Sequence, residues 1–394
     1  MRVIRAKNFP ENTYLLLDKN FRNNLFNKSV QKLNCKNNFE LSKYINKKLG
    51  TGFNGGDIKY WIIGERLDKR TNKLHPKFMP LNLTLCLMRL NNVQLNKLDE
   101  NIISYRAGGG GLRITQPHLP IKITPEIHSI VIHLFGDGAA GNFTPSYTQK
   151  EELNLKNFIK KLENCFGTIE KSIYFTQGKH QIKFPKIISD ILKKHYSIKS
   201  YRTHQSEVPK SILNNNSNKH KLACILAFIV DEGNIRDTIT FYNSNKILLL
   251  GIKKLVLDCG YHCSEIAKYP ERDYYMFNFN NHDVERFNKD IGKLIREYPT
   301  CNLCIKQKDI DFIIKRRKSP NMRNKERTNM LILNTLKNGK FTAKQISRIN
   351  GYAYCTILHC LQKLQKNSKV NREKINNKFY VWFLKEDNGL KIEK

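Results

Sequence analysis

The sequence predicts an α+β protein whose middle is built twice over. Each half reads helix, strand, strand, helix, strand, strand, helix (αββαββα), with a helical domain on either side. Three observations carry this. First, two apolar helical runs, Ile127 to Phe135 and Leu222 to Ile229, both end in acid and glycine, as Gly136-Asp137-Gly138 and Asp231-Glu232-Gly233. Second, the spacing repeats: Asp137 to Glu232 and Tyr147 to Tyr242 are each 95 residues, and Gly167 to Gly260 is 93. Third, the chain is punctuated by four glycines in Ala107–Gly111, by the polar run Asn214–His220 and by the basic run Lys315–Lys318. Consecutive glycines hold neither helix nor strand cheaply.

These breaks divide the chain into a helical N-terminal domain (1–106), a Gly/Pro linker (107–121), a duplicated core (122–304, halves 122–200 and 217–304), a basic linker (305–327) and a C-terminal domain (328–385). In the first half, Thr124 and Pro125 supply an N-cap and a first helical residue. Asn142–Tyr147 reads as a short strand, Asn157–Gly167 as an amphipathic helix, and Ser172–Phe175 with His180–Phe184 as alternating strands. A helix from Ile187 to His195 closes the half. The second half repeats the order with Asp237–Tyr242, Gly251–Gly260, Tyr274–Phe279 and Asp283–Arg296.

Charge decides the partner class. The 394 residues include 69 Lys and Arg against 34 Asp and Glu, a net charge of +35. Such an excess gains affinity for a polyanion by releasing phosphate counterions, so nucleic acid is expected. No apolar stretch nears the ~20 residues of a spanning helix. Nor does Met1–Tyr14 contain the apolar segment of a signal peptide, so a cytoplasmic, nucleoid-associated location without membrane contact is expected. The 10 cysteines are expected to be reduced thiols. Cys259, Cys263, Cys301 and Cys304, with His262 nearby, lack the paired C-x-x-C spacing of a zinc ribbon.

The two helix ends, Ile130-Val-Ile-His-Leu-Phe-Gly-Asp-Gly138 and Ile225-Leu-Ala-Phe-Ile-Val-Asp-Glu-Gly233, resemble the paired motifs of the LAGLIDADG homing endonuclease family. The resemblance covers roughly residues 118–300 and includes Val208–Leu213 upstream of the second motif. It implies two motif helices packed side by side, Gly136 facing the region of Ala227 and Asp231, and two saddle-shaped antiparallel sheets laid along a DNA major groove. Asp137 and Glu232 would then meet at two helix C-termini, where the macrodipole already disfavours negative charge. A hard divalent cation such as Mg²⁺ is the natural third party, and such a site serves metal-assisted phosphodiester hydrolysis.

By position in the family pattern, Lys183 and Lys268 are candidates for the basic residue near the scissile phosphate, with ordinary phosphate contacts as the alternative. Asn142, Gln149, Arg236 and Asn243 on the strands after each motif are candidate DNA contacts. Two residues depart from the pattern. His133 stands where the family has an apolar residue, and is read as a satisfied, partly buried histidine. Ile132 stands where glycine or alanine is common.

The C-terminal segment reads as a winged helix-turn-helix. Thr328–Leu336 gives a first helix, and Thr342-Ala-Lys-Gln345 a capping box opening the second. Tyr352–Gln365 gives the third, followed by a hairpin through Lys378–Phe383. Tyr354, His359, Gln362 and Lys363 on the third helix are candidate groove contacts. Leu41–Ile45, Leu49-Gly50 and Asp57–Trp61 suggest a second helix-turn-helix near the N-terminus.

The function expected is a site-specific, Mg²⁺-dependent endonuclease acting on double-stranded DNA, monomeric because its two-fold symmetry is internal. A regulator using the fold only to bind DNA, or an RNA-splicing maturase, would use the same residues. Intein splicing is not supported, because no first-residue nucleophile and no closing His-Asn pair stand in the sequence.

Overall fold

The structure, a computed structural model, describes residues 2–68, 70–108, 110–141, 144–269, 273–318, 325–375 and 379–385. It is a mixed α+β protein with several antiparallel sheets and many helices.

At its centre, the Pro125–Phe135 helix packs along the Asn218–Glu232 helix. Every residue of the first is buried, and so is Lys221–Val230 of the second. A helix apolar nearly all round belongs in an interior, and these two form the spine of the largest hydrophobic core. Thr124 and Gly136 flank the first helix, with Pro125 in its opening turn.

Each spine helix runs into its own antiparallel sheet. The sheet after the second helix has the order Gly233–Ile235, Ile239–Asn243, Tyr275–Asn278, Ala267–Lys268. The sheet after the first has Ser146–Gln149, Lys179–Lys183, Ser172–Thr176 in the same relative places. Its first strand shrinks to a bridge between Gly138 and Tyr147, supported by Ala139 N–H donating to Ser146 O at 2.8 Å. In chain order within each half, both sheets therefore read 1-2-4-3. Helices Glu152–Phe166 and Lys246–Asp258 join the strand pairs, and Lys186–Tyr196 and Val284–Glu297 close the halves.

Three boundary expectations are corrected. The N-terminal region is not purely helical: Thr13–Leu17 sits within a five-stranded sheet beside Ile102–Ala107 and Met79–Pro80. The expected linker at 107–121 continues that sheet, since Ile114–Pro117 lies between Ile102–Ala107 and Gly167–Ile169 of the core. Ile121–Lys122 also pairs with Val3–Ile4. The flanking apolar residues Ile114 and Ile121 are fully buried, and burial outweighs what the glycines lose. Finally, much of the expected basic linker is the Gln307–Lys318 helix, with Ile310 and Ile313 in the core.

The N-terminal helix pair is present: Asn38–Leu49, capped by Asn37, precedes Gly55–Ile63, which opens with an Asn54/Asp57 capping box. A hairpin, Glu65–Asp68 with Lys73–Pro76, follows. At the C-terminus, helices Lys325–Lys337, Ala343–Asn350 and Tyr354–Lys366 enclose a separate core with Ile346, Ile357, Leu361 and Trp382. The Thr342/Gln345 capping box forms, and strands Phe341–Thr342, Phe379–Leu384 and Val370–Ile375 make a three-stranded antiparallel sheet beside them. No helix among the described residues is long and apolar enough to cross a membrane.

Candidate active site

The two spine helices end together. A Cβ on Gly138 would lie 2.6 Å from Leu134 Cα, and one on Gly233 2.7 Å from Ile229 Cα. Each glycine thus turns the chain sharply back against the last turn of its own helix, so the two mark equivalent ends. Asp137 and Glu232 immediately precede them.

Three carboxylates gather here. Burial, then the charge of Asp231, raises Asp137 to about 7. Burial, then the charges of Asp137 and Asp231, raises Glu232 to about 7. Burial also raises Asp231 to about 7, against the lowering effects of Tyr147, Lys306 and Lys161. Like charges drawn from water into one place favour protonation or a cation. Asp137 keeps a solvent-accessible edge despite its dense surroundings, whereas the Asp231 side chain is wholly buried.

Asp231 has no free capacity. Tyr147 Oη donates to its Oδ1 at 2.6 Å, and His133 Nδ1 lies 3.0 Å from its Oδ2. Lys161 Nζ donates to Ser129 Oγ at 2.6 Å and to His133 Nε2 at 2.9 Å. Because lysine only donates, the ring accepts at Nε2 and offers its proton from Nδ1 to Asp231. A buried relay, Lys161 to His133 to Asp231, therefore crosses the spine and balances one buried cation against one buried anion. Burial, then Lys161, holds His133 well below its ordinary value. The histidine is fully satisfied, as its sequence reading expected, but more deeply buried at 3% exposure.

Gln149 connects this interior to the accessible acid. Its Nε2 lies 2.6 Å from Asp137 Oδ2, 2.9 Å from Tyr147 Oη and 3.1 Å from Asp231 Oδ1. Asn154 Nδ2 donates to Gln149 Oε1 at 3.0 Å, which fixes the amide's orientation. Beneath the acids lies Lys306, whose Nζ donates to the carbonyls of Ile229, Val230 and Gly233 at 2.6, 2.7 and 2.8 Å. It satisfies orphan carbonyls at the helix C-terminus and places a cation there.

The other expected site residues are distributed differently. Lys183 Nζ lies 4.9 Å above the Tyr174 ring. Lys268 pairs with Asp273 at 3.6 Å on the surface. The lysines whose charges reach the acids are Lys306, Lys179 and Lys161. Gln149 and Asn243, expected as DNA contacts, point inward at 6% and 4% exposure. Strand alternation sends them to the faces carrying Tyr147 and Phe241. Asn243 Oδ1 there accepts from Asn245 N–H at 2.8 Å. The opposite, open faces carry Thr148, Gln181 and Lys183 in the first half and Asn234, Tyr242 and Asn278 in the second.

Arg236 is not extended towards a groove: its guanidinium lies 4.8 Å from the Tyr354 ring. Tyr354 is likewise engaged with the core, whereas His359, Gln362 and Lys363 are exposed on their helix. Asn142 lies outside the described residues. Among the described residues no three His, Cys, Asp or Glu side chains are grouped to hold a metal ion. The thiols of Cys259, Cys263, Cys301 and Cys304 are free.

Asp231, Tyr147, Lys161 and Lys306 were not among the expected site residues. Asp231 had a signal in its adjacency to Glu232. Tyr147 had one in its matched spacing with Tyr242. Lys306, far along the chain, had none.

No sequence-family model matches this chain, and no curated protein matches it either. Among solved structures, it is similar to mesophilic variants of the homing endonuclease I-DmoI at 16% identity, covering 41% of this chain and 94% of that one, with a TM-score of 0.30. It is similar to I-DmoI in complex with DNA and Ca at 16% identity, covering 42% and 89%, with a TM-score of 0.32. It is also similar to full-length DUF199/WhiA from Thermatoga maritima at 10% identity, covering 62% and 92%, with a TM-score of 0.32.

Proposed function

We propose that this chain is a site-specific double-stranded DNA endonuclease of the LAGLIDADG homing type, with a duplicated core and a divalent-cation centre at Asp137 and Glu232. The observation that carries this reading is the position of those two acids at equivalent helix ends, each raised to about 7 by burial and by neighbouring acids. Perturbed carboxylate groups beside polar, open sheet faces in a strongly basic chain fit phosphodiester chemistry better than a structural role.

The donor set suits a hard cation. Asp137 and Glu232 would hold it, with water and phosphate oxygens completing the shell, because Asp231 is committed to Tyr147 and His133. When bound, such an ion polarises the phosphate and lowers the pKa of attacking water. The chain's own residues do the positioning. Gln149 holds the Asp137 carboxylate in one orientation, Asn154 holds Gln149, and Lys306 balances negative charge from below. Open-face residues such as Thr148, Gln181, Tyr242 and Asn278 are suited to base edges. Internal duplication supports action as a monomer.

The regulator reading is favoured by one observation, the filling of the spine with a buried polar relay beside an intact winged helix. The experiment takes duplex fragments of the protein's own genomic neighbourhood, recovers those it binds, and incubates them with Mg²⁺. Cutting at one long site supports the endonuclease. Specific binding with uncut fragments replaces it with the regulator. Selective binding of an intron RNA instead would favour a maturase.

A further inference from the structure

The first turn of the winged helix's third helix carries amides that the core occupies. Tyr354 N–H donates to Asp237 Oδ1 at 2.8 Å, and Cys355 N–H to Asp237 Oδ2 at 3.1 Å. Asp237 belongs to the tight turn between strands Gly233–Ile235 and Ile239–Asn243 of the core. Arg316 pairs with the same carboxylate. A second acid of the core side, Asp309, pairs with Arg348 and, at 3.3 Å, with Lys344 of the winged helix's second helix. Arg236 stacks on Tyr354, and Lys150 of the first half approaches the wing residue Phe379 at 5.8 Å.

We infer that this is a latch: Asp237 and Asp309 occupy places on the winged helix that DNA phosphates would take, so duplex DNA competes with the core for that surface. In helix-turn-helix readers, the amino end of the third helix enters the groove, and backbone amides and basic side chains grip phosphates. A helix amino end is an anion site by its exposed N–H groups and its dipole. Here two carboxylates, in a chain with only 34 acids against 69 bases, fill that site and its basic neighbours. Burial pushes the Asp237 carboxyl up, but the amides of Cys355 and Tyr354 and the Arg316 pair bring it below its ordinary value. The carboxylate is thus held as an anion. His359, Gln362 and Lys363 are exposed further along the helix.

The latch rests on the DNA-binding half of the proposed function and not on cleavage. The test compares the full chain with the double variant Asp237→Asn, Asp309→Asn, using a labelled 30-base-pair duplex of arbitrary sequence over a range of salt. Glu11→Gln with Glu100→Gln serves as a charge-matched control, both residues being exposed and remote from the latch. The latch variant is expected to bind about tenfold tighter than the control at low salt, with a log–log salt slope steeper by roughly two, as two phosphate contacts become available. In DNA-free protein, amides of residues 354–357 are expected to exchange faster in that variant, with other helices unchanged. Equal affinity and slope for latch and control variants overturn the latch alone. Weaker binding by the latch variant also overturns it, because the docked surface would then be part of the DNA grip. Failure of every protein to bind the duplex overturns the DNA reading together with the latch.

Discussion

Gly136 and Asp231 stand at equivalent places in the two halves, and the side chain that the glycine lacks is the space that Asp231 fills. A Cβ on Gly136 would lie 2.6 Å from Asp231 Oδ2 and 2.8 Å from Asp231 Cβ. The spine is therefore asymmetric where it looks most symmetric. One half contributes a carboxylate, and the other contributes room for it. Gly136→Ala is expected to destabilise the fold by about 1–3 kcal/mol, the usual cost of overpacking. The cost should shrink in an Asp231→Ala background. Chemical denaturation of the two single variants and the double variant measures that coupling.

The relay from Lys161 through His133 to Asp231 makes a second prediction. The residue equivalent to His133 in the other half is Phe228, 95 positions on. His133→Phe fits by size but strands a buried cation and a buried anion, at a cost of about 3–5 kcal/mol. Adding Lys161→Met removes one stranded charge and is expected to recover part of the loss, read as a rise in melting temperature.

The acids make stability depend on pH in a definite direction. Asp137, Asp231 and Glu232 are raised to about 7 in the folded chain, from ordinary values of 3.8, 3.8 and 4.5. Between those limits the folded state binds more protons than the unfolded one, so stability falls as pH rises from about 4 to about 7. Above 7 the repulsion is fully present. A divalent cation that joins Asp137 to Glu232 relieves it. Magnesium is therefore expected to raise the melting temperature at pH 8 and to have little effect at pH 5.5, with the difference lost in Asp137→Asn.

Lys306→Met removes the cation beneath the site and leaves three helix-end carbonyls without their donor. The expected loss is about 1–3 kcal/mol. It should be larger at pH 8 than at pH 5.5, because the acids lose a counter-charge where they are ionised. Thermal melts at both pH values distinguish this from a simple packing defect, which would be independent of pH.

Much of the core was legible because local patterns and tertiary demands agree there. Apolar runs too continuous for a surface helix announced the buried spine, and matched spacing announced two halves with one element order. The capping box expected at Thr342 forms, its side chain satisfying a first-turn amide. Elsewhere the pattern misled for physical reasons. Strands as short as Val3–Ile4 and Met79–Pro80 carry too few residues to show alternation. They gain their place from partners far along the chain, so the N-terminal sheet was hidden among helices. Gln149 and Asn243 are polar strand residues, but one residue of register decides whether such a side chain meets DNA or the interior. Lys306 reaches the acids only through the turn that precedes Gln307–Lys318, a placement no local pattern contains.

On the proposed reading, Asp137 and Glu232 form one metal-dependent cutting centre. The most direct measurement is the conversion of supercoiled plasmid carrying the protein's own genomic neighbourhood to nicked and linear forms, in Mg²⁺ and in chelator, for the wild type, Asp137→Asn and Glu232→Gln. Cutting by the wild type is expected in Mg²⁺ only, with a loss of at least about 100-fold in each variant, on the order of one essential electrostatic contact in an active site. Wild-type protein that binds the plasmid specifically but leaves it supercoiled, or variants that cut as fast as the wild type, would contradict it.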